Sequence, residues 1–172
     1  MNKISDLINN GFENIIPILD NYRELDKLTE SIDATFDIGI RIASEEEPKF
    51  EFYTSRLGIG YKDIIPYYSQ KIAEHPNARL KMLHFFINTG IKDTSYYWNE
   101  LFKCLRVYAR LKKIAPEVDS LNIGGGFPIK SSLQFDYDYE YMVGEIVYQI
   151  KKFCEEEGVE EPNIYTEFGS FT

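Results

Sequence analysis

Five short apolar runs recur along this chain, at positions 15–20, 36–43, 80–88, 120–127 and 163–169, and residues with helical spacing separate each from the next. Strand–helix–strand repetition implies parallel pairing joined by right-handed crossovers. The runs are nearly continuous in apolar residues, as strands covered on both faces must be. Local signals place the helices between them. Asn21 with Glu24 three residues on predicts a capping box ahead of buried Leu25 and Leu28. Asp63 predicts a second cap, with Ile64, Ile65, Tyr68 and Ile72 on one face and Pro66 tolerated in the first turn. Thr94 opens a long helix carrying Tyr97, Leu101, Leu105 and Tyr108, which Pro116 stops. Asp138 opens another, with Met142, Ile146, Ile150 and Phe153 as its stripe and Gly158 as its end. An open doubly wound sheet and a (β/α) barrel both fit this alternation, and periodicity does not choose between them. In either, the active site lies at the C-terminal ends of the strands.

Composition narrows the partners. At 172 residues, with 44% hydrophobic and 27% charged, the chain reads as one ordered domain. Its 13 Tyr and 12 Phe can fill a sizeable core. A net charge of −9 argues against nucleic acid or an anionic membrane as partner, without excluding a local anion site made of backbone amides. Cys104 and Cys154 fall in helical stretches without CxxC spacing, so they read as buried thiols in a reducing cytosol rather than metal ligands. No apolar run approaches a membrane span, and the residues from Met1 to Asp6 carry no signal core; the expected location is cytoplasmic.

The strand ends carry the chemistry. The fourth run ends in Asn122-Ile123-Gly124-Gly125-Gly126-Phe127-Pro128, and three side-chain-free residues after a strand let backbone amides approach an anion closely. A flexible turn needs only one glycine. The dinucleotide fingerprint fits poorly, because G-x-G-x-x-G spacing is absent and Glu167 lies too far on. Glu167 ends the fifth run, as a carboxylate aimed into a pocket or as a solvated, ion-paired terminus. Arg41, in the second run, is costly unless paired, and both an internal ion pair and a ligand contact fit it. Thr89 offers a hydroxyl to a phosphate or caps a turn. His84 lies on the strand face opposite Phe85, and a lone histidine in an apolar strand reads as a satisfied core residue. His75 reads as an exposed loop residue, and the charge run Glu45-Glu46-Glu47 as a solvated loop.

Taken in order, these segments resemble the fold-type III pyridoxal-phosphate decarboxylases, which include arginine, ornithine and diaminopimelate decarboxylases. Leu121 to Pro128 looks like the family's phosphate-binding Gly-Gly-Gly-Phe segment. Leu83-His84-Phe85-Phe86-Ile87-Asn88-Thr89-Gly90 is similar to its Leu-His-Phe-His-Leu-Gly-Ser strand. Thr166-Glu167-Phe168-Gly169-Ser170 resembles its Glu-Ser-Gly-Arg segment, and Ser55-Arg56-Leu57-Gly58 its Ser-Lys-Phe-Gly turn. The Leu-His-Phe wording and the Asn-Ile-Gly-Gly-Gly context lean towards biosynthetic arginine decarboxylases. The resemblance implies a partial (β/α)8 barrel of the alanine racemase-like type, about five parallel strands with intervening helices. It implies pyridoxal phosphate as cofactor, a small-molecule amino-acid substrate as partner and, in the full-length protein, decarboxylation of a basic amino acid, arginine to agmatine foremost, within polyamine biosynthesis. Glu167 is then the partner of the cofactor's pyridine nitrogen. Gly124, Gly125 and Gly126 hold the phosphate with Thr89, Phe86 takes the place against the ring, and Arg41 lies near the ring.

Three positions depart from the pattern. Phe86 stands where the family stacks a histidine, and cannot donate a proton. Ser170 replaces a phosphate-binding arginine and so removes a charge-assisted contact. Asn88 replaces a glycine. No run offers the lysine to which the family attaches its cofactor. The resemblance therefore implies that residues 1–172 are the central to C-terminal part of the cofactor-binding barrel, with the early strands and a C-terminal β domain outside it. A piece of this kind is expected to be inactive alone and to associate with itself or its missing parts, because five strands do not close a barrel of eight. The complete protein is expected to be a homodimer or higher homo-oligomer. Two other readings stay open: a non-catalytic phosphate-ester-binding relative, and an open-sheet nucleotide-binding domain.

Overall fold

The five runs become a parallel sheet in the computed structural model, which describes residues 2–43, 57–87, 94–127 and 138–167. In chain order the elements are α1 (Asn2–Asn9), β1 (Ile18–Leu19), α2 (Glu24–Thr29), β2 (Phe36–Ala43), β3 (Ile59–Gly60), α3 (Ile64–Tyr67), a π-helical turn (Tyr68–Ile72), β4 (Ala78–Phe85), α4 (Thr94–Lys112), β5 (Ser120–Asn122), α5 (Tyr139–Glu157) and β6 (Asn163–Tyr165). The strand order is β1-β2-β4-β5-β6, and every pairing is parallel. Strand β3, which the sequence did not signal, takes over the β2 edge where β1 stops: Ile42 and Ala43 pair with Ile59 and Gly60, and the Gly58 amide donates to the Asp20 carbonyl.

This order decides between the two α/β architectures. A doubly wound sheet needs a reversal of strand order, so that successive right-handed crossovers cover opposite faces. Here the strands succeed one another in one direction, and the helices line one face. On that face Ile38, Ile40 and Ile42 of β2, Leu83 and Phe85 of β4, and Leu121 with Ile123 after it join one buried cluster with Leu25, Leu28, Tyr97, Leu101 and Ile146. Met82, on the other face, is buried but lies outside that cluster. The arrangement is an arc of a (β/α) barrel: an apolar layer under the helices and an inner face of different composition.

The helices follow their sequence signals with local corrections. The stripe Tyr97, Leu101, Leu105 and Tyr108 of α4 is buried, and the helix ends at Lys112, a turn before Pro116. Asp138 caps α5 by accepting from the Tyr141 amide at 2.9 Å, and Gly158 ends it in the left-handed region at φ 66°. Cys154 rather than Phe153 completes its fully buried stripe; Phe153 is part-buried against the Phe102 ring. The capping box at Asn21 does not form. The Asn21 side chain accepts from the Arg23 amide at 3.0 Å, a local turn, while Glu24 reaches back to the Asp20 amide at 2.6 Å. Asp63 precedes α3 in helical geometry with no side-chain cap, and the helix passes after four residues into the π-helical turn. Ile64, Tyr68 and Ile72 are buried as expected. Helix α1 carried no recognised signal; its Ile8 joins the core and its Ser5 hydroxyl lies 2.8 Å from that of Ser31. His75 is not a free loop residue, for its Nδ1 accepts from the amides of Asn77 and Ala78 and builds the turn into β4. Glu45-Glu46-Glu47 and the Ser55-Arg56 part of the turn lie outside the described residues.

Both cysteines are unpaired and buried. Burial pushes the Cys154 thiol up to about 11 and that of Cys104 higher still, so both stay protonated and inert. Among the described residues no helix is long and apolar enough to cross a membrane.

Gly144 sits in α5 with open space where a Cβ would stand. A helix-interior glycine costs roughly 0.5–1 kcal/mol relative to alanine. Gly144→Ala is therefore expected to raise the unfolding free energy by that amount, read as a higher urea midpoint with an unchanged denaturant slope.

Candidate active site

Side-chain alternation along parallel strands brings every second residue to the inner face of the arc. In register, Arg41 of β2 pairs with His84 of β4, His84 with Asn122 of β5, and Asn122 with Tyr165 of β6. Asp20, one residue past β1, closes the row by meeting Arg41 Nη1 at 3.5 Å. A row of polar side chains thus crosses the sheet at the C-terminal ends of its strands. The level beneath it, Ile18, Gly39, Met82, Ser120 and Asn163, carries small or apolar side chains apart from Asn163.

Above the row lie the glycines and the acid. Strand β5 ends at Asn122 rather than running on to Phe127, because Gly124 turns into the left-handed region at φ 68°. The Asn122 Oδ1 holds that turn by accepting from the Gly124 amide at 2.8 Å. The Gly124 carbonyl then accepts from the Glu167 amide at 2.9 Å, which ties the glycine turn to the segment after β6. A Cβ on Gly124 would stand 2.8 Å from the Phe85 carbonyl oxygen, and one on Gly125 would stand 2.7 Å from that of Glu167. No side chain fits at either place. Among the described residues, the amides of Gly125 and Gly126 donate to no protein group. They are the donors that an anion at this turn can use.

Glu167 leaves half of its side chain accessible. Its Oε1 accepts from Asn122 Nδ2 at 2.9 Å and lies 3.4 Å from His84 Nε2. Phe86 stands beside the same turn, its ring 3.3 Å from where a Gly124 Cβ would be, and the Arg41 guanidinium carbon lies 5.6 Å from the ring centroid. Arg41 therefore has the ion pair that its cost demanded and also lies over the Phe86 ring beside the glycine turn. Five of the seven residues singled out from sequence, Arg41, Phe86, Gly124, Gly125 and Glu167, form one connected group, and Gly126 follows directly. Thr89, like Asn88 and Ser170, lies outside the described residues.

His84 corrects its sequence reading. It is 9% exposed, yet among the described residues neither ring nitrogen makes a hydrogen bond. The approach to Glu167 is a close contact and not a formed bond. Burial is the largest influence on the imidazole and lowers its pKa; Arg41 lowers it further, against the opposing pull of Glu167 and Asp20. A satisfied core residue it is not. Asn122 and Asp20 were also passed over as site residues. The signal for both was available in principle: each is a polar residue at the C-terminal end of an apolar run.

A planar ring bearing a phosphate ester suits this arrangement. Among the described residues, the glycine turn is stripped of side chains and has spare amides, and an acid stands next to it with one oxygen accepting no bond. A family profile described as "Pyridoxal-dependent decarboxylase, pyridoxal binding domain" matches residues 2–172. This chain belongs to the pyridoxal-dependent decarboxylase family. Pyridoxal phosphate is accordingly the cofactor for which its fold is built. The biosynthetic arginine decarboxylase of Citrifermentans bemidjiense is 26% identical over 170 residues, 90% of this chain and 27% of that protein. That of Geotalea uraniireducens is 36% identical over 100 residues, 54% of this chain and 16% of that protein. Among solved structures, the biosynthetic arginine decarboxylase of Campylobacter jejuni superposes with a TM-score of 0.74 at 21% identity, covering 98% of this chain and 29% of that one. The pyridoxal-dependent decarboxylase chain thus spans about a quarter of the length of the arginine decarboxylases it matches over most of its own length.

Proposed function

We propose that this chain supplies the phosphate cradle and the ring-nitrogen acid of a pyridoxal-phosphate-dependent decarboxylase acting on a basic amino acid, arginine foremost, as one part of a longer or multi-part enzyme. The observation that carries the proposal is the bond between the Gly124 carbonyl and the Glu167 amide. It holds an anion turn and a carboxylate at a fixed spacing, as a ligand with a phosphate at one end and a basic nitrogen at the other requires. When bound, pyridoxal phosphate supplies an electron sink that accepts the electron pair left by departing carbon dioxide. The protein's share is to hold and tune it. The amides of Gly125 and Gly126 bind the phosphate, Phe86 packs against the ring, and Glu167 keeps the pyridine nitrogen protonated. Arginine as substrate rests on the curated relatives, all of whose names cited above are biosynthetic arginine decarboxylases.

The test is release of labelled carbon dioxide from carboxyl-labelled arginine, ornithine and lysine by the full-length gene product loaded with pyridoxal phosphate. Release from arginine well above the other two is expected; none from any of the three defeats the proposal. Phe86 favours a second reading, a non-catalytic relative, because a phenyl ring packs on a heterocycle but holds no proton. That reading predicts binding of the phosphate ester with no carbon dioxide released.

A further inference from the structure

We propose that His84 is a positioning residue for Glu167: with Asn122 it steadies Oε1 of the carboxylate, and so presents Oε2 to the ring nitrogen of the bound cofactor. The inference rests on the ring-nitrogen role of Glu167 and adds to it a residue that acts through the acid.

Three observations converge. His84 is nine-tenths buried on the inner face of β4, and among the described residues both of its ring nitrogens lack a hydrogen bond. A buried imidazole with two unmet polar atoms costs stability unless the site has a use for it. Its Nε2 lies 3.4 Å from Glu167 Oε1, a short movement from bonding distance. The same oxygen already accepts from Asn122 Nδ2, whereas Oε2 accepts no bond among the described residues. Holding one oxygen from two neighbouring strands would leave the carboxylate little rotational freedom and the other oxygen available to the ring nitrogen.

The charge state matters to the role. The charged groups facing His84 are Glu167 beyond β6, Arg41 on β2 and Asp20 beyond β1. Burial and Arg41 together keep the imidazole neutral near pH 7. A neutral ring donates one hydrogen bond from Nε2 and adds no second cation beside a protonated pyridine. An imidazolium there would instead satisfy Glu167 and repel the ring nitrogen.

Two measurements test the inference, both on the full chain. The first is an NMR titration of the His84 imidazole. Glu167→Gln removes a carboxylate that raises the His84 pKa, so His84 is expected to titrate at lower pH in the variant. An unmoved His84 overturns the inference. The second follows the ultraviolet spectrum of bound pyridoxine 5′-phosphate, which reports protonation of the ring nitrogen and has no aldehyde to react with lysines. His84→Met keeps the volume without a donor; His84→Gln keeps a donor. The bound nitrogen is expected to hold its proton about tenfold less tightly in the Met variant, a shift of about one pH unit, and as in the parent in the Gln variant. Met and Gln variants that both match the parent overturn the His84 role and leave Glu167 intact. A Glu167→Gln variant whose bound ring titrates as in the parent overturns the role of the acid, and that of His84 with it.

Discussion

Replacing Glu167 by glutamine is expected to lower the turnover of the loaded full-length enzyme by about a hundredfold or more, on the scale of losing one preorganised charge interaction made in the transition state. Cofactor affinity is expected to change by only a few fold, because the phosphate is held elsewhere, at Gly125 and Gly126. The asymmetry follows from where the charge goes. A carboxylate beside the pyridine nitrogen favours its protonated form, and a protonated ring accepts electron density far better than a neutral one. Glutamine keeps the size and still accepts from Asn122 Nδ2 as Glu167 does at 2.9 Å, so the turn should survive. Turnover and cofactor dissociation constant, measured on the same preparations, check the claim. Equal losses in both would mean that Glu167 only helps to hold the cofactor.

Gly124→Ala is expected to destabilise the protein by roughly 3 kcal/mol, combining a left-handed backbone strain of about 1–2 kcal/mol with overpacking of about 1–3 kcal/mol. The obstruction is rigid. The new methyl would stand 2.8 Å from the Phe85 carbonyl oxygen and 3.3 Å from the Phe86 ring, at a φ of 68°. Relief requires moving β4 or the turn, and the turn carries the bonds from Gly124 to Asn122 and from Glu167 to Gly124. The lesion is thus expected to reach Glu167 as well. Denaturant unfolding gives the stability change. A variant as stable as its parent would show that this turn is not held as tightly as its hydrogen bonds imply. Gly144→Ala serves as the opposite case, since the same methyl group there meets open space.

Much of the fold was legible because burial writes itself into periodicity. The stripes Tyr97–Leu101–Leu105–Tyr108 and Met142–Ile146–Ile150 predicted faces that are buried. The strand runs were legible for the same reason, although their ends were not. Strands β5 and β6 stop several residues short of the apolar runs that contain them, because hydrogen bonding and not hydropathy ends a strand. Strand β3 was invisible for a related reason: two residues held by a neighbour's free edge have no period of their own.

The residue types at the strand ends were also present in the sequence: glycines without side chains, an acid, and an arginine too costly to bury alone. Their order along the chain determined the family, and with it the cofactor. Tertiary structure alone decided which of them meet. Register across parallel strands placed Arg41, His84 and Asn122 in one row, although they are far apart in sequence. One hydrogen bond, from Glu167 to Gly124, then set the acid beside the glycine turn. His84 shows the limit most clearly. Its neighbours in the chain are Leu83 and Phe85, and both are core residues; its neighbours in space are Glu167, Arg41 and Asp20, and these set its charge. Local sequence reports the medium in which a side chain is buried, whereas electrostatic partners come from strands that only folding brings together.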